Sequence, residues 1–147
     1  MAGSGYALVN TTVGAAAPMS QISLTAATVR ARVRGFTIGD TASTTAGGVR
    51  FVLNEQSTDG TSTAVSTNKL DANAPAAITV SRSTYTVTGT QAANHKVDVG
   101  FDRVGTYILW FPPGAEPFVG GTGKLGLIKI IGADTDVWAG TVYWTED

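Results

Sequence analysis

The sequence predicts an all-β fold: one antiparallel β-sandwich, jelly-roll-like, of about eight strands. Three observations predict it. Thr and Gly are abundant, at 22 and 18 of 147 residues, while only 14% of residues are charged. Thr and Val suit a pleated surface and Gly supplies turns, whereas the unbranched residues that favour helices are scarce. Short segments rich in β-branched and aromatic residues recur between turn signals, at spacings typical of a sandwich or barrel. No repeat or composition shift divides the chain, and its length suits a single domain over residues 1–147. A domain of this size hides roughly 70% of its unfolded surface and can hold a core without staples.

The elements follow in order. "YALVNTTV" (residues 6–13) reads as the first strand. "GAAAPMSQISLTAA" carries Gly14 and Pro18 and reads as a loop, part of a possible N-terminal arm within residues 1–27. "TVRARVRGFTI" alternates: Val29, Ala31 and Val33 share one face, Arg30, Arg32 and Arg34 the other. The apolar phase then slips to Phe36 and Ile38. A one-residue slip reverses the faces, so a β-bulge is expected at Gly35. "GDTASTTAGG" is a loop by composition.

"VRFVLNEQ" is a strand with Val49, Phe51 and Leu53 on one face. Asp59-Gly60 tolerates positive φ and predicts a turn, after which Thr61 to Asn68 returns as its antiparallel partner. "KLDANAPAA" leaves the sheet at Pro75. "AITV" and "TYTVTG" are short extended pieces, and "QAANHKVDVGF" is ambiguous. "TYILWF" is the most apolar strand and is expected to be covered on both sides. "FPPGAEPFVGGTG" reads as a long loop. "KLGLIKII" and "DVWAGTVYWTE" close the chain as two strands around "GADTD".

Composition removes several functions. There is no cysteine, so disulfides and thiolate metal sites are excluded. Ten basic and eleven acidic residues give a net charge of -1, without the basic field of a general nucleic-acid binder. The opening "MAGSGYALVN" lacks the pattern of a signal peptide. No run reaches the roughly 18 apolar residues that span a membrane.

Site-like motifs dissolve on inspection. "GGTGKLG" resembles a phosphate loop, but Phe118 stands where the first Gly belongs and Leu125 where Ser or Thr belongs. His95 is the only histidine, and Asp98 and Asp102 do not make a ligand set with it by spacing. Asp134 and Asp136 fit a polar turn better than a calcium loop. Glu116 reads as a solvated charge. No catalytic, metal or cofactor site is expected.

Two features point to a partner instead. Arg30, Arg32 and Arg34 form a basic stripe on one strand face, suited to an acidic partner or to acids on neighbouring strands. Phe111 and Phe118 flank the Pro-rich loop and are the aromatic candidates for a partner contact.

"RARVRGFTI", then "FVLNEQ", "GTSTAV" and "LDANAPAA", resembles a family of small structural proteins of tailed bacteriophages. The pattern is an Arg-x-Arg strand, a strand ending in a polar Gln- or Glu-containing step, a Gly-Thr-Ser-Thr-Ala-Val-like run and a Leu-Asp-x-x-x-Pro-Ala-Ala-like turn. The resemblance implies a non-enzymatic virion component, a head decoration (cement) protein on the capsid surface. It also implies that the major capsid protein is the partner and that the protein is a homotrimer. Neither a membrane nor direct nucleic-acid binding is expected. The alternative is a tail or fibre accessory module that stacks host glycans on exposed aromatics such as Trp138 or Phe118.

Overall fold

Period-two alternation decides which side chains meet in the core. In the computed structural model they meet between two antiparallel sheets. The structure describes residues 4–13, 18–24, 29–41, 45–58, 60–87, 89–131 and 137–147. They form twelve strands and no helix: β1 (Ser4–Val13), β2 (Pro18–Leu24), β3 (Arg30–Asp40), β4 (Gly48–Gln56), β5 (Thr61–Val65), β6 (Asn68–Lys69), β7 (Thr79–Val87), β8 (Gln91–Asp102), β9 (Thr106–Trp110), β10 (Phe118–Gly120), β11 (Lys124–Ile131) and β12 (Val137–Glu146).

Sheet A has the order β10-β3-β12-β1-β6, with β9 also on β3; sheet B has the order β5-β7-β2-β11-β4-β8. The chain crosses between sheets at eight links, among them β1–β2, β3–β4, β8–β9 and β11–β12. Across the sandwich these four crossings lie in the order first, last, second, third, which is jelly-roll wrapping. The frame is β1, β2, β3, β4, β8, β9, β11 and β12; the sequence reads β2 as a loop or arm and leaves β8 ambiguous. The remaining four are additions: β5, β6 and β7 extend the side next to β1 and β2, and β10 caps β3.

The core joins both inner faces. Tyr6, Leu8, Val33, Phe36 and Ile38 of sheet A face Phe51, Leu53, Leu125 and Leu127 of sheet B. Trp138 and Trp144 are fully buried among them. The Trp138 ring meets Phe51 edge-on at 5.1 Å and Phe101 at 6.0 Å, while Trp144 stacks on Tyr6 at 5.9 Å. Each such side chain contributes about 1.5–3 kcal/mol on burial.

The predicted bulge is present. Gly35 pairs with Tyr143 and Val33 with Trp144, which leaves Arg34 as the extra residue. Ala31 and Val33 before the slip, and Phe36 and Ile38 after it, therefore all face the core.

Several expectations need correction. The strand count is twelve, not eight. Residues 18–24 are not part of an arm: β2 lies inside sheet B between β7 and β11, with Pro18 tolerated at its first position. Thr61 onward does not return against β4. Both edges of β4 are taken by β11 and β8, so β5 pairs with β7 at the far side of the sheet. Gly60 does take a positive φ of 68°, while Asp59 lies outside the described residues. The ambiguous "QAANHKVDVGF" is the twelve-residue edge strand β8. The Pro-rich loop contains the short strand β10. "TYILW" is an edge strand with one open face, because Ile108 and Trp110 point outward.

Candidate functional site

The outer face of sheet A gathers the residues with the strongest claim to a partner. Register places them in rows. Trp110, Gly35, Tyr143 and Ala7 lie side by side, and next to them Ile108, Thr37, Thr141 and Val9. Phe118, Arg32, Thr145 and Gly5 form a third row. Trp110, Ile108, Val9 and Phe118 remain 57%, 59%, 60% and 47% exposed, a group of large apolar side chains on one sheet face.

Trp110 is held in place although it is exposed. A Cβ on Gly35 would stand 2.7 Å from its Cε3 atom and 2.4 Å from the Leu109 carbonyl oxygen. The indole therefore lies on the bare Gly35 backbone. Tyr143 packs against it at 5.0 Å between ring centroids. Beyond Ile108, a shallow trough runs over Thr37, Gly39, Ala139 and Thr141 to Val9. Aromatics and arginine, both present on this face, are residue types enriched at protein interfaces.

The arginine stripe is partly neutralised from within. Arg32 Nε donates to Asp147 at 2.9 Å. Arg34 pairs with Glu116 through Nη1, and its Nε donates to Thr145 Oγ1 at 3.2 Å. Arg30 instead lies over the Phe118 ring, 5.0 Å from its centroid, with Arg32 at 5.7 Å. Glu116 is not the solvated charge expected from the sequence, since its side chain is only 3% exposed. Its own backbone N–H, then the Gly114 N–H and the Arg34 guanidinium, hold its carboxyl below the usual range despite burial.

Phe111 does not belong to this surface. It turns inward, packs against the core and sits 6.4 Å from Phe36 between ring centroids. Trp138 is fully buried and offers nothing to a glycan. Phe118 keeps its expected exposure. The residues that sequence reasoning missed are Trp110, Ile108 and Val9. The signal was present in "TYILW", where Tyr107 and Leu109 alternate with Ile108 and Trp110, but all four are apolar and the two faces look alike.

A cleft of about 510 Å³ opens beside β10. Phe118, Val119 and Gly120 of β10 line it together with Glu55, Gln56, Lys96 and Lys124 of sheet B. Lys96 and Glu55 pair at 3.0 Å.

The remaining polar candidates have structural duties. Asp98 accepts from Arg50 Nε at 2.7 Å and lies 3.4 Å from His95 Nδ1. The hydrogen bond from Arg50 lowers its pKa to about 2. Asp102 Oδ1 caps the β8–β9 turn by accepting from the Val104 N–H at 3.0 Å. Among the described residues no three His, Asp or Glu side chains converge as metal ligands. Asp134 and Asp136 lie outside the described residues. No protein-family model, curated protein or solved structure matches the chain.

Proposed function

We propose that the chain is a structural protein of a bacteriophage virion, a decoration (cement) protein that binds the major capsid protein lattice and stabilises the DNA-filled head as a homotrimer. The observation that supports a binding role is the outer face of sheet A. Trp110 is presented there in a fixed position, flanked by Tyr143, Ile108 and Val9, with Arg32 and Phe118 at the margin. A side chain already held in its bound position loses little freedom on docking. The phage assignment itself rests on the sequence resemblance. A trimer would multiply weak contacts by effective concentration.

The experiment compares phage particles with and without the protein. Particles lacking it are expected to lose DNA at lower temperature. Trp110→Ala should weaken binding to empty heads by tenfold or more, as expected for a central aromatic anchor. Equal particle stability, or absence of the protein from purified heads, overturns the reading. A second reading, a tail accessory module for host glycans, draws on the same exposed indole; retention of Trp110-dependent binding on a glycan array, with none to heads, would favour it.

A further inference from the structure

We propose that the cleft beside β10 receives an extended acidic segment of a partner protein, added as a strand to the free edge of sheet A. The inference rests on the cleft and the edge of β10; Phe118 lines that cleft and also borders the face that carries Trp110.

The backbone leaves an edge open. Among the described residues β10 pairs only with β3. The Val33 N–H donates to the Pro117 carbonyl at 2.8 Å. Antiparallel alternation then turns the groups of Pro117 and Val119 toward β3 and those of Phe118 and Gly120 away from it. Gly120 O already accepts from the Gly123 N–H at 3.1 Å. The Phe118 N–H and C=O remain on the side of the cleft that Phe118 itself lines. A Cβ on Gly120 or Gly121 would meet nothing within 4 Å, so these glycines leave the mouth clear. An extended peptide uses such an edge through main-chain hydrogen bonds, and its side chains set specificity.

The charge around the cleft selects an acidic occupant. Glu55, Glu116 and Asp147 are each held by a cation of this chain, namely Lys96, Arg34 and Arg32. Arg30 and Lys124 have no such carboxylate among the described residues. Arg30 lies over Phe118, and Lys124 Nζ reaches only the Thr122 carbonyl at 3.5 Å. Lys124 lines the cleft, and the exposed Arg30 lies over the Phe118 ring that lines it, so two cations are left to meet carboxylates from outside through charge-assisted hydrogen bonds. The half-exposed Phe118 ring lines the cleft and lies under the guanidinium of Arg30. It suits an apolar residue next to those carboxylates.

The test uses the full chain and two labelled octapeptides, one alternating Glu and Val, the other alternating Lys and Val. The acidic peptide is expected to bind, and to shift the backbone amide signals of Phe118, Gly120 and Lys124 but not that of Trp110. Lys124→Glu and Arg30→Glu, each verified as folded by its thermal midpoint, should each weaken binding at least tenfold. Equal binding of both peptides overturns the proposal, as does unchanged affinity in the two variants or a signal centred on Trp110. If an oligothymidylate of eight nucleotides binds as tightly and shifts the same amides, the cleft is a general anion site and the strand proposal fails. None of these outcomes bears on particle stability, so the virion reading is judged separately.

Discussion

Trp138 shows how a single residue divides between packing and polarity. Its ring is enclosed by Phe51 and Phe101, yet its indole N–H finds no hydrogen-bond partner among the described residues. Truncation to Ala should cost about 3–5 kcal/mol through the cavity it leaves. Trp138→Phe should cost clearly less, because it also removes an unpaired donor. Chemical denaturation of the two variants measures the difference; equal losses would mean that the N–H is satisfied. Asp98 makes a different prediction. Its folded pKa lies near 2, against an ordinary value of 3.8. A depressed carboxyl contributes stability that is fully present above the unfolded value and is lost as pH falls through the folded one. The thermal midpoint of the native chain should therefore fall toward that of Asp98→Asn as pH drops from about 3.8 to about 2. The pair is exposed, so added salt should shrink the gap. At this scale the sequence was partly legible. The slip from Val33 to Phe36 announced the bulge, because a change of phase has one geometric meaning. The inward turn of Phe111 was not legible, since a residue at the end of an apolar run has no neighbour to fix its face.

Between elements, two contacts stand out, one within sheet A and one between the sheets. The first is β9 on β3. Its approach requires a hydrogen at position 35, where any Cβ would collide with the Leu109 carbonyl oxygen. Gly35→Ala should cost about 1–3 kcal/mol by overpacking, and the Trp110 fluorescence should report the displaced ring. An unchanged spectrum and midpoint would show that β9 sits elsewhere. The second contact is Glu146 at the end of β12. Its two carboxylate oxygens accept from the Ile78 and Thr79 N–H groups at 3.0 and 2.7 Å, tying sheet A to the start of β7. Thr79 is buried, so Glu146→Ala strands a donor and should cost about 1–3 kcal/mol. Hydrogen exchange at the Thr79 amide tests this directly, because only loss of the Glu146 bond would accelerate it locally. Strand pairing was the least legible level. Asp59-Gly60 promised a hairpin, and local turn chemistry supports one. The competing fact is non-local: "VRFVLNEQ" buries both faces and both edges, which makes it a central strand that cannot also spare an edge for β5.

Over the whole molecule, composition was enough for the fold class, because abundant Thr and Gly with few charges leave little else to build. The order of strands was not, since side-chain alternation specifies faces but never neighbours. The same limit hid the exposed face of sheet A. Its members come from β1, β3, β9, β10 and β12, and only the assembled sheet brings them together.

The first strand of the described chain lies against the last, in register from Ser4 with Glu146 to Val13 with Val137. In sheet B, β2 likewise lies against β11. The middle of each sheet therefore joins segments from opposite ends of the chain. Closing contacts of such long sequence separation is slow. On the ribosome, sheet B cannot be completed until β11 has emerged, near residue 131, and sheet A not until β12 has, near residue 146. A nascent chain stalled before β12 would leave β1 and β3 without the strand that joins them, with their apolar faces open to wrong partners.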